Sequence, residues 1–275
     1  MPEGDSIFRA AATLHRALAG KAVVRFETVF PALTRIHEDN PLTAQSVDRV
    51  AAQGKHLLMF FSGGLVLRTH MRMNGSWHIY RPNERWQRPH RDMRIIVATA
   101  DFEAVGFNIP VAEFIRSQAL RKHRDLSKLG PDVLGNTFDR EEAIRRIRAR
   151  ASSTIADVLL NQRVLAGLGN VYKSEVLFMC RINPFTPVSA IDDARLACIL
   201  DTAQKLLRAN VTTGLAPMTT YAGLRRTTTR DDPSERLWVY GRARLPCRRC
   251  ESPIEISKHG TDARLTYWCP QCQAS

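Results

Sequence analysis

Apolar positions set the first divisions of the chain. From Ser6 to Leu18, the residues Ile7, Phe8, Ala11, Leu14 and Leu18 recur at helical spacing, and Gly20 supplies a stop. The pattern then switches to short β-rich runs punctuated by Gly and Pro, at 22–29, 46–51, 56–61, 65–70, 77–80 and 93–100. Repeated short strands predict a β-sandwich or barrel behind an opening helix. After Gly106 the period changes again, and Lys128-Leu129-Gly130-Pro131-Asp132 reads as a connector. Helical segments are expected near 140–150, 154–162, 170–180 and 191–209, the last with Leu196, Ile199, Leu200, Ala203 and Leu207 on one face. Near the end, Ile254/Ile256 and Leu265/Tyr267 alternate on either side of Lys258-His259-Gly260 as two strands of a hairpin. The expected class is α+β, with an N-terminal β-sandwich domain over 1–130, a helical domain over 131–240 and a hairpin module over 241–275.

Composition narrows what such a chain does. Its 275 residues, 44% apolar and 24% charged, are those of a folded protein rather than a disordered or collagen-like one. The longest apolar run, Leu57 to Phe61, is broken by Ser62-Gly63-Gly64, so no membrane span and no membrane partner are expected. Met-Pro-Glu-Gly-Asp places an acid where a signal peptide carries positive charge, which predicts a cytoplasmic protein with Pro2 as its mature first residue. Forty Lys and Arg against 27 acids leave a net charge of +13, which repels basic partners and attracts a polyanion or an anionic membrane surface, nucleic acid being the commoner polyanion. The excess is spread out: residues 68–94 hold seven Arg and two acids, and 116–150 hold ten Lys/Arg and five acids.

The six cysteines divide unequally. Cys247/Cys250 and Cys269/Cys272 form two CxxC pairs with 18 residues between them. Each short turn presents two thiolates and the intervening hairpin brings the pairs together, the requirement of a tetrahedral zinc site. Four thiolates leave no open position for substrate, so one structural zinc ion is expected to help a short segment fold. Cys180 and Cys198 lie in helical segments and are expected in the core.

Two further segments carry candidate chemistry. Once Met1 is removed, the secondary amine of Pro2 can attack an aldehyde or a deoxyribose C1′ to form an iminium ion. With an α-amine reference pKa near 7.7 to 8.0, roughly a tenth or more is neutral at pH 7. Glu3 follows, where a carboxyl can protonate the sugar ring oxygen; Pro-Glu is equally a favourable helix start. The run from Leu159 to Glu175 reads as helix, Gly-containing turn and helix. The free N–H groups opening the second helix, with the Asn170 amide, suit a DNA phosphate, or the segment is simply a turn between packed helices.

Taken together these pieces resemble the formamidopyrimidine-DNA glycosylase and endonuclease VIII family, bifunctional enzymes that remove oxidised bases. The resemblance spans nearly the whole chain. It rests on Pro2-Glu3-Gly4, Gln53-Gly54-Lys55-His56-Leu57-Leu58, the Gly167 to Glu175 helix-two-turn-helix, and Tyr240-Gly241-Arg242 leading into the four-cysteine module. It implies Pro2 as the Schiff-base nucleophile, Glu3 as proton donor for base release and Lys55 as proton donor in β-elimination. Arg264 resembles the zinc-finger arginine linked to δ-elimination and phosphate contact. Asn170 is similarly placed on a phosphate, and Arg72, Met73 and Asn74 in the loop that fills the gap left by an everted base, where Met73 is a wedge or merely an apolar residue between strands. Lys128 resembles a basic DNA-contact position of the endonuclease VIII branch.

The sequence also departs from the family pattern. Asp101 to Gly106 stands where formamidopyrimidine enzymes carry an Arg and a Phe that serve the base opposite the lesion, Ser6 replaces an acid, and the 18-residue span between cysteine pairs is slightly long. The overall pattern is closer to endonuclease VIII, so the resemblance implies a monomeric glycosylase and abasic-site lyase for oxidised pyrimidines, associated with the nucleoid and without a redox cofactor. DNA is expected in a basic cleft between the two domains. The rival reading is a noncatalytic zinc-containing protein that binds damaged DNA. A metal-dependent nuclease is disfavoured because no compact carboxylate/His cluster stands out.

Overall fold

The computed structural model describes residues 2–212, 225–230, 232–260 and 263–274. Met1, whose removal the Pro2 chemistry requires, lies outside the described residues. Among the described residues, contacts divide the chain into one compact unit up to Lys128 and a second from Leu129 onward.

The first unit opens with helix α1 (Gly4–Leu18), capped by Glu3 in extended conformation. Ile7, Ala10, Ala11, Leu14, Ala17 and Leu18 are buried along one face, and each large aliphatic side chain contributes about 1.5–3 kcal/mol on burial. The helix ends where Gly20 takes φ +76°, a left-handed conformation that favours glycine. Two antiparallel sheets follow. One has the order β1 (Arg25–Thr28), β6 (Met93–Ala98), β7 (Glu103–Phe107), β5 (Ser76–Tyr80). The other has the order β2 (Val47–Gln53), β3 (His56–Phe61), β4 (Leu65–His70), β8 (Val111–Arg116). Leu57, Met59 and Leu67 of the second sheet share one core with Trp77, Ile95 and Val97 of the first and with α1, so the sheets form a sandwich. Trp77 Nε1 donates to Thr69 Oγ1 at 3.2 Å and ties the two sheets together.

Three elements depart from the apolar pattern. Helix α2 (Pro31–Asp39) starts at a proline and buries only Leu33, too narrow a face to register as periodic. Strand β7 carries Gly106 because a Cβ there would lie 2.6 Å from Ile109 Cδ1. Strand β8 is an edge strand of mixed polarity whose register sets Glu113 opposite Arg68.

The second unit contains α3 (Arg140–Arg148), α4 (Ile155–Leu160), α5 (Asn170–Met179) and α6 (Asp193–Thr212), with the hairpin β9 (Glu255–His259) and β10 (Arg264–Trp268). Asp139 and Thr154 cap α3 and α4 by accepting from Glu142 N and Asp157 N. The hairpin rests on the helices through His259, which contacts Asp157 at 3.1 Å and Thr154 Oγ1 at 2.9 Å. Cys180 and Cys198 are not core residues: Cys198 is exposed, Cys180 half-buried, and the two form a disulfide with Cα atoms 6.1 Å apart. Leu196, Ile199, Leu200 and Ala203 define the inner face of α6, and Cys198 falls outside it. No helix among the described residues is long and apolar enough to cross a membrane.

Candidate catalytic and nucleic-acid-binding residues

In the first unit, the start of α1 faces a cavity. Pro2, Met73, Asn74, Arg88, Arg94 and Asn108 line one open space of about 600 Å³, with no acid among its described lining residues. Glu3 beside it is fully buried, and its carbonyl accepts from Ser6 N at 3.0 Å and Ile7 N at 3.1 Å. Met73 is 57% exposed, at the tip of a loop that Gly75 closes by donating to Met71 O at 2.9 Å. Arg72 sits at φ +46°, and its N–H donates to His70 Nδ1 at 3.1 Å. An amine, an exposed apolar side chain and two guanidinium groups in one cavity suit an anionic substrate that must be held open while a nucleophile reaches it.

Lys55 is half-buried in the two-residue turn between β2 and β3, where Gln53 pairs with His56 and Gly54 takes φ +57°. His56 and His70 lie edge to face across β3 and β4, ring centroids 4.8 Å apart. Burial, then the Arg68 charge, hold the His56 pKa down to about 3; burial, then Lys55 and Arg68, hold His70 down to about 4. Lys128 is exposed where the first unit ends.

Segment 101–106 is not a presenting loop: Glu103 to Phe107 is strand β7, paired on both sides by β5 and β6. Beside the Met73 loop, Asn108-Ile109-Pro110 after β7 also reaches the Pro2 cavity. Arg88, Arg94 and Asn108 escaped the sequence reading; the Arg-rich stretch 68–94 was visible there only as charge.

In the second unit, the turn between α4 and α5 is held by Gln162, whose Nε2 donates to Leu160 O and Leu168 O at 3.0 and 2.8 Å and whose Oε1 accepts from Gly167 N at 3.1 Å. Asn170 opens α5 behind the cap Gly169 and is buried. Its amide is engaged inside the unit, Nδ2 donating to Leu265 O at 2.7 Å and Oδ1 accepting from Lys173 Nζ at 2.8 Å. Lys173, also fully buried, donates to Thr266 Oγ1 at 2.7 Å. Asn170 is thereby fastened to β10, one residue from the half-buried Arg264, which follows Ala263 at φ +48°. Glu175 is buried on the same helix and accepts from the N–H groups of Trp238, Val239 and Tyr240 at 2.8–2.9 Å and from the Thr227 hydroxyl. Burial pushes its pKa up while these donors pull it back. Gln162, Lys173 and Glu175 were missed in the sequence because polar residues on a helix normally read as its solvent face.

The four cysteines of the hairpin module converge. Their Sγ atoms all lie within 4.8 Å of one another, with Cys247 and Cys269 buried. Cys250 Sγ is 3.4 Å from both Cys269 Sγ and Cys272 Sγ, and Cys247 is 3.9 Å from Cys272. Hydrogen bonds from Ser252 pull Cys250 down to about 6, whereas burial and the neighbouring thiols push Cys272 up. Four soft donors this close can bind a metal ion.

Comparison with known proteins gives the same picture. Residues 1–110 match the formamidopyrimidine-DNA glycosylase N-terminal domain, and residues 129–221 match the formamidopyrimidine-DNA glycosylase H2TH domain. A probable endonuclease 8 2 of Streptomyces coelicolor is 40% identical, covering 100% of this chain and 94% of that one. The DNA-(apurinic or apyrimidinic site) lyase Nei2 of Mycolicibacterium smegmatis is 36% identical over the full length of both. The Lactococcus lactis Fpg, solved with abasic-site DNA, shares the fold with a TM-score of 0.83 at 23% identity, covering 100% of both chains. The chain belongs to the formamidopyrimidine-DNA glycosylase and endonuclease 8 family.

Proposed function

We propose that this chain is a bifunctional DNA glycosylase and abasic-site lyase of base excision repair, acting as a monomer on damaged DNA in the nucleoid. The observation that carries the reading is the placement of Pro2 in one open cavity with the exposed Met73. With Met1 removed, the neutral Pro2 amine attacks C1′ of an everted nucleotide while the adjacent Glu3 protonates the sugar ring oxygen; the base departs and an iminium remains. Glu3, now a carboxylate, takes a C2′ proton, and the C3′–O bond breaks to release the 3′ phosphate, to which Lys55 donates a proton. Arg264 holds phosphate and supports a second elimination, and Asn170, whose amide is engaged by Leu265 O and Lys173 Nζ, serves that contact by fastening β10 beside Arg264. Met73, flanked by Arg72 and Asn74, occupies the gap in the duplex, and Lys128 adds a backbone contact. Oxidised pyrimidines are the substrate class on the resemblance to the endonuclease VIII branch; the relatives at 36–40% identity are named endonuclease 8 2 or Nei2, while others named endonuclease 8 and a formamidopyrimidine-DNA glycosylase lie at 29–31%.

Zinc fits the four thiols. A tetrahedral zinc–thiolate site with bonds of about 2.3 Å sets sulfurs about 3.8 Å apart, close to the 3.4–3.9 Å of the Cys247–Cys272, Cys250–Cys269 and Cys250–Cys272 pairs, with all four sulfurs within 4.8 Å of one another. Zinc there closes the base of the hairpin and takes no part in the reaction.

The test is borohydride reduction in the presence of abasic-site duplex. Wild type should give a covalent adduct, and Pro2→Gly or a form retaining Met1 should not. Tight binding without any adduct would refute the enzyme reading. Faster excision of 8-oxoguanine opposite cytosine than of thymine glycol would refute the pyrimidine preference.

A further inference from the structure

The Lys55 turn and the Met73 loop emerge from the same end of the second sheet, and a chain of polar contacts joins them. At its centre is Arg68 on β4, 4% exposed. Its Nε donates to His56 Nδ1 at 3.2 Å and its Nη2 to Asp125 Oδ2 at 3.0 Å, while Nη1 pairs with Glu113. His56, the residue after Lys55, meets the His70 ring, and His70 Nδ1 accepts the Arg72 N–H.

Two features give this chain a function rather than a mere place in the core. Each imidazole uses Nδ1 as an acceptor, so each is neutral with its proton on Nε2; a proton on Nδ1 of either would break the link. Arg72 occupies the left-handed region at φ +46°, a strained conformation for a residue with a side chain. The bond to His70 is a fixed contact at the strained residue immediately before Met73.

We propose that Arg68 is a positioning residue that holds the Lys55 turn and the Arg72–Met73 loop in one frame through the neutral His56–His70 pair. This rests on the roles given above to Lys55 and Met73. Arg68 is too buried to need a DNA contact of its own. Glu113 and Asp125 balance its charge, and it adds to burial in keeping both rings unprotonated.

The groups facing the pair are Arg68, Asp125 and His123 around His56, and Lys55, Arg68, Arg72 and Asp125 around His70. Removing the Arg68 charge therefore makes both rings easier to protonate, which gives the experiment a readout that packing alone would not move. Wild type, Arg68→Met and Arg68→Lys are compared on abasic-site duplex DNA by borohydride adduct yield and by single-turnover strand scission from pH 5 to 8. Arg68→Met should keep the adduct yield within about twofold, because Pro2 is untouched, and slow scission about tenfold at pH 7.5. Its rate should fall further toward pH 5, since burial still holds both rings below the ordinary imidazole value near 6.5 once the Arg68 charge is gone, while wild type and Arg68→Lys show no such limb. Scission by Arg68→Met at the wild-type rate with the wild-type pH profile overturns the inference. Should Arg68→Met not fold, Asp125→Asn decides, since the Asp125 side chain is 45% exposed: a scission rate lowered about threefold at unchanged adduct yield supports the role, and an unchanged rate overturns it. Absence of any adduct with wild type would instead overturn the Pro2 reading.

Discussion

Glu175 offers the sharpest test of how the second unit is held together. Its Oε1 accepts from Val239 N at 2.9 Å and Tyr240 N at 2.8 Å, and its Oε2 from Trp238 N at 2.8 Å and from the Thr227 hydroxyl. In Glu175→Gln the new NH2 must face one of these donor pairs. Placed toward Thr227 and Trp238, it lets the hydroxyl turn and accept, leaving one buried N–H without an acceptor at about 1–3 kcal/mol. The surviving bonds also lose their charge assistance, so the total comes to about 2–4 kcal/mol. Glu175→Ala strands three N–H groups, about 3–9 kcal/mol, comparable with the whole stability of an ordinary domain. Urea unfolding followed by far-UV circular dichroism reads the difference. At a slope of about 2 kcal/mol per molar, the Gln variant should unfold about 1–2 M urea earlier than wild type. A Gln variant within about 1 kcal/mol of wild type would mean that the carboxylate does not organise segment 238–240.

Other expectations follow from equally local features. His78, hydrogen-bonded to Ser76 and Tyr80 and held down to about 4 by burial and then by Arg88, stays neutral in the folded protein. Between about pH 4 and 6.5 the unfolded chain therefore binds the extra proton, so stability falls as pH drops through this window, by up to ~1.4 kcal/mol per unit from this residue; urea titrations at pH 7.5 and 5 should show a smaller difference for His78→Gln, and an equal one would refute it. Cys272→Ser should abolish binding of one metal equivalent per chain, measured by elemental analysis, and lower the melting temperature; retained metal and an unchanged melt would refute the four-thiol site. The Cys180–Cys198 bridge, with a sequence separation of 18, should contribute about 3 kcal/mol, so Cys198→Ser should be destabilised in oxidising buffer and not in reducing buffer. Gly130→Ala would drive a Cβ to 2.3 Å from Val164 O, which is backbone, and should cost at least ~2 kcal/mol by thermal or urea unfolding.

Periodicity carried most of the architecture because most elements have one buried face. The opening helix, six strands of the sandwich and the terminal hairpin were legible in that way, whereas α2, β7 and β8 were not, for want of a wide or regular apolar face. CxxC spacing located the sulfur cluster from chemistry alone. The candidate roles of Pro2, Lys55, Asn170 and Arg264 came only from assembling short motifs into a family resemblance; singly, a turn lysine or a hairpin arginine is an ordinary surface charge. What stayed hidden is the set of charges that face inward. Arg68, Lys173 and Glu175 sit on elements whose sequence gives no sign of which neighbour will neutralise them, because each partner lies far along the chain.

Helix α5 is buried on every side up to its last residue, the half-buried Met179, and its two ionic side chains bind two different later segments. Lys173 depends on Leu265 O and Thr266 Oγ1 for two of the acceptors around its ammonium group. If the hairpin frays when its thiols lose their metal, that ammonium is left without them in a dry interior, and the opening turn of α5 must loosen to let water in. Amide exchange at Asn170 to Lys173 would then quicken together with exchange in β10, while the Glu175 end keeps its protection. Metal supply would thus register as a change in the order of a helix that holds no metal ligand.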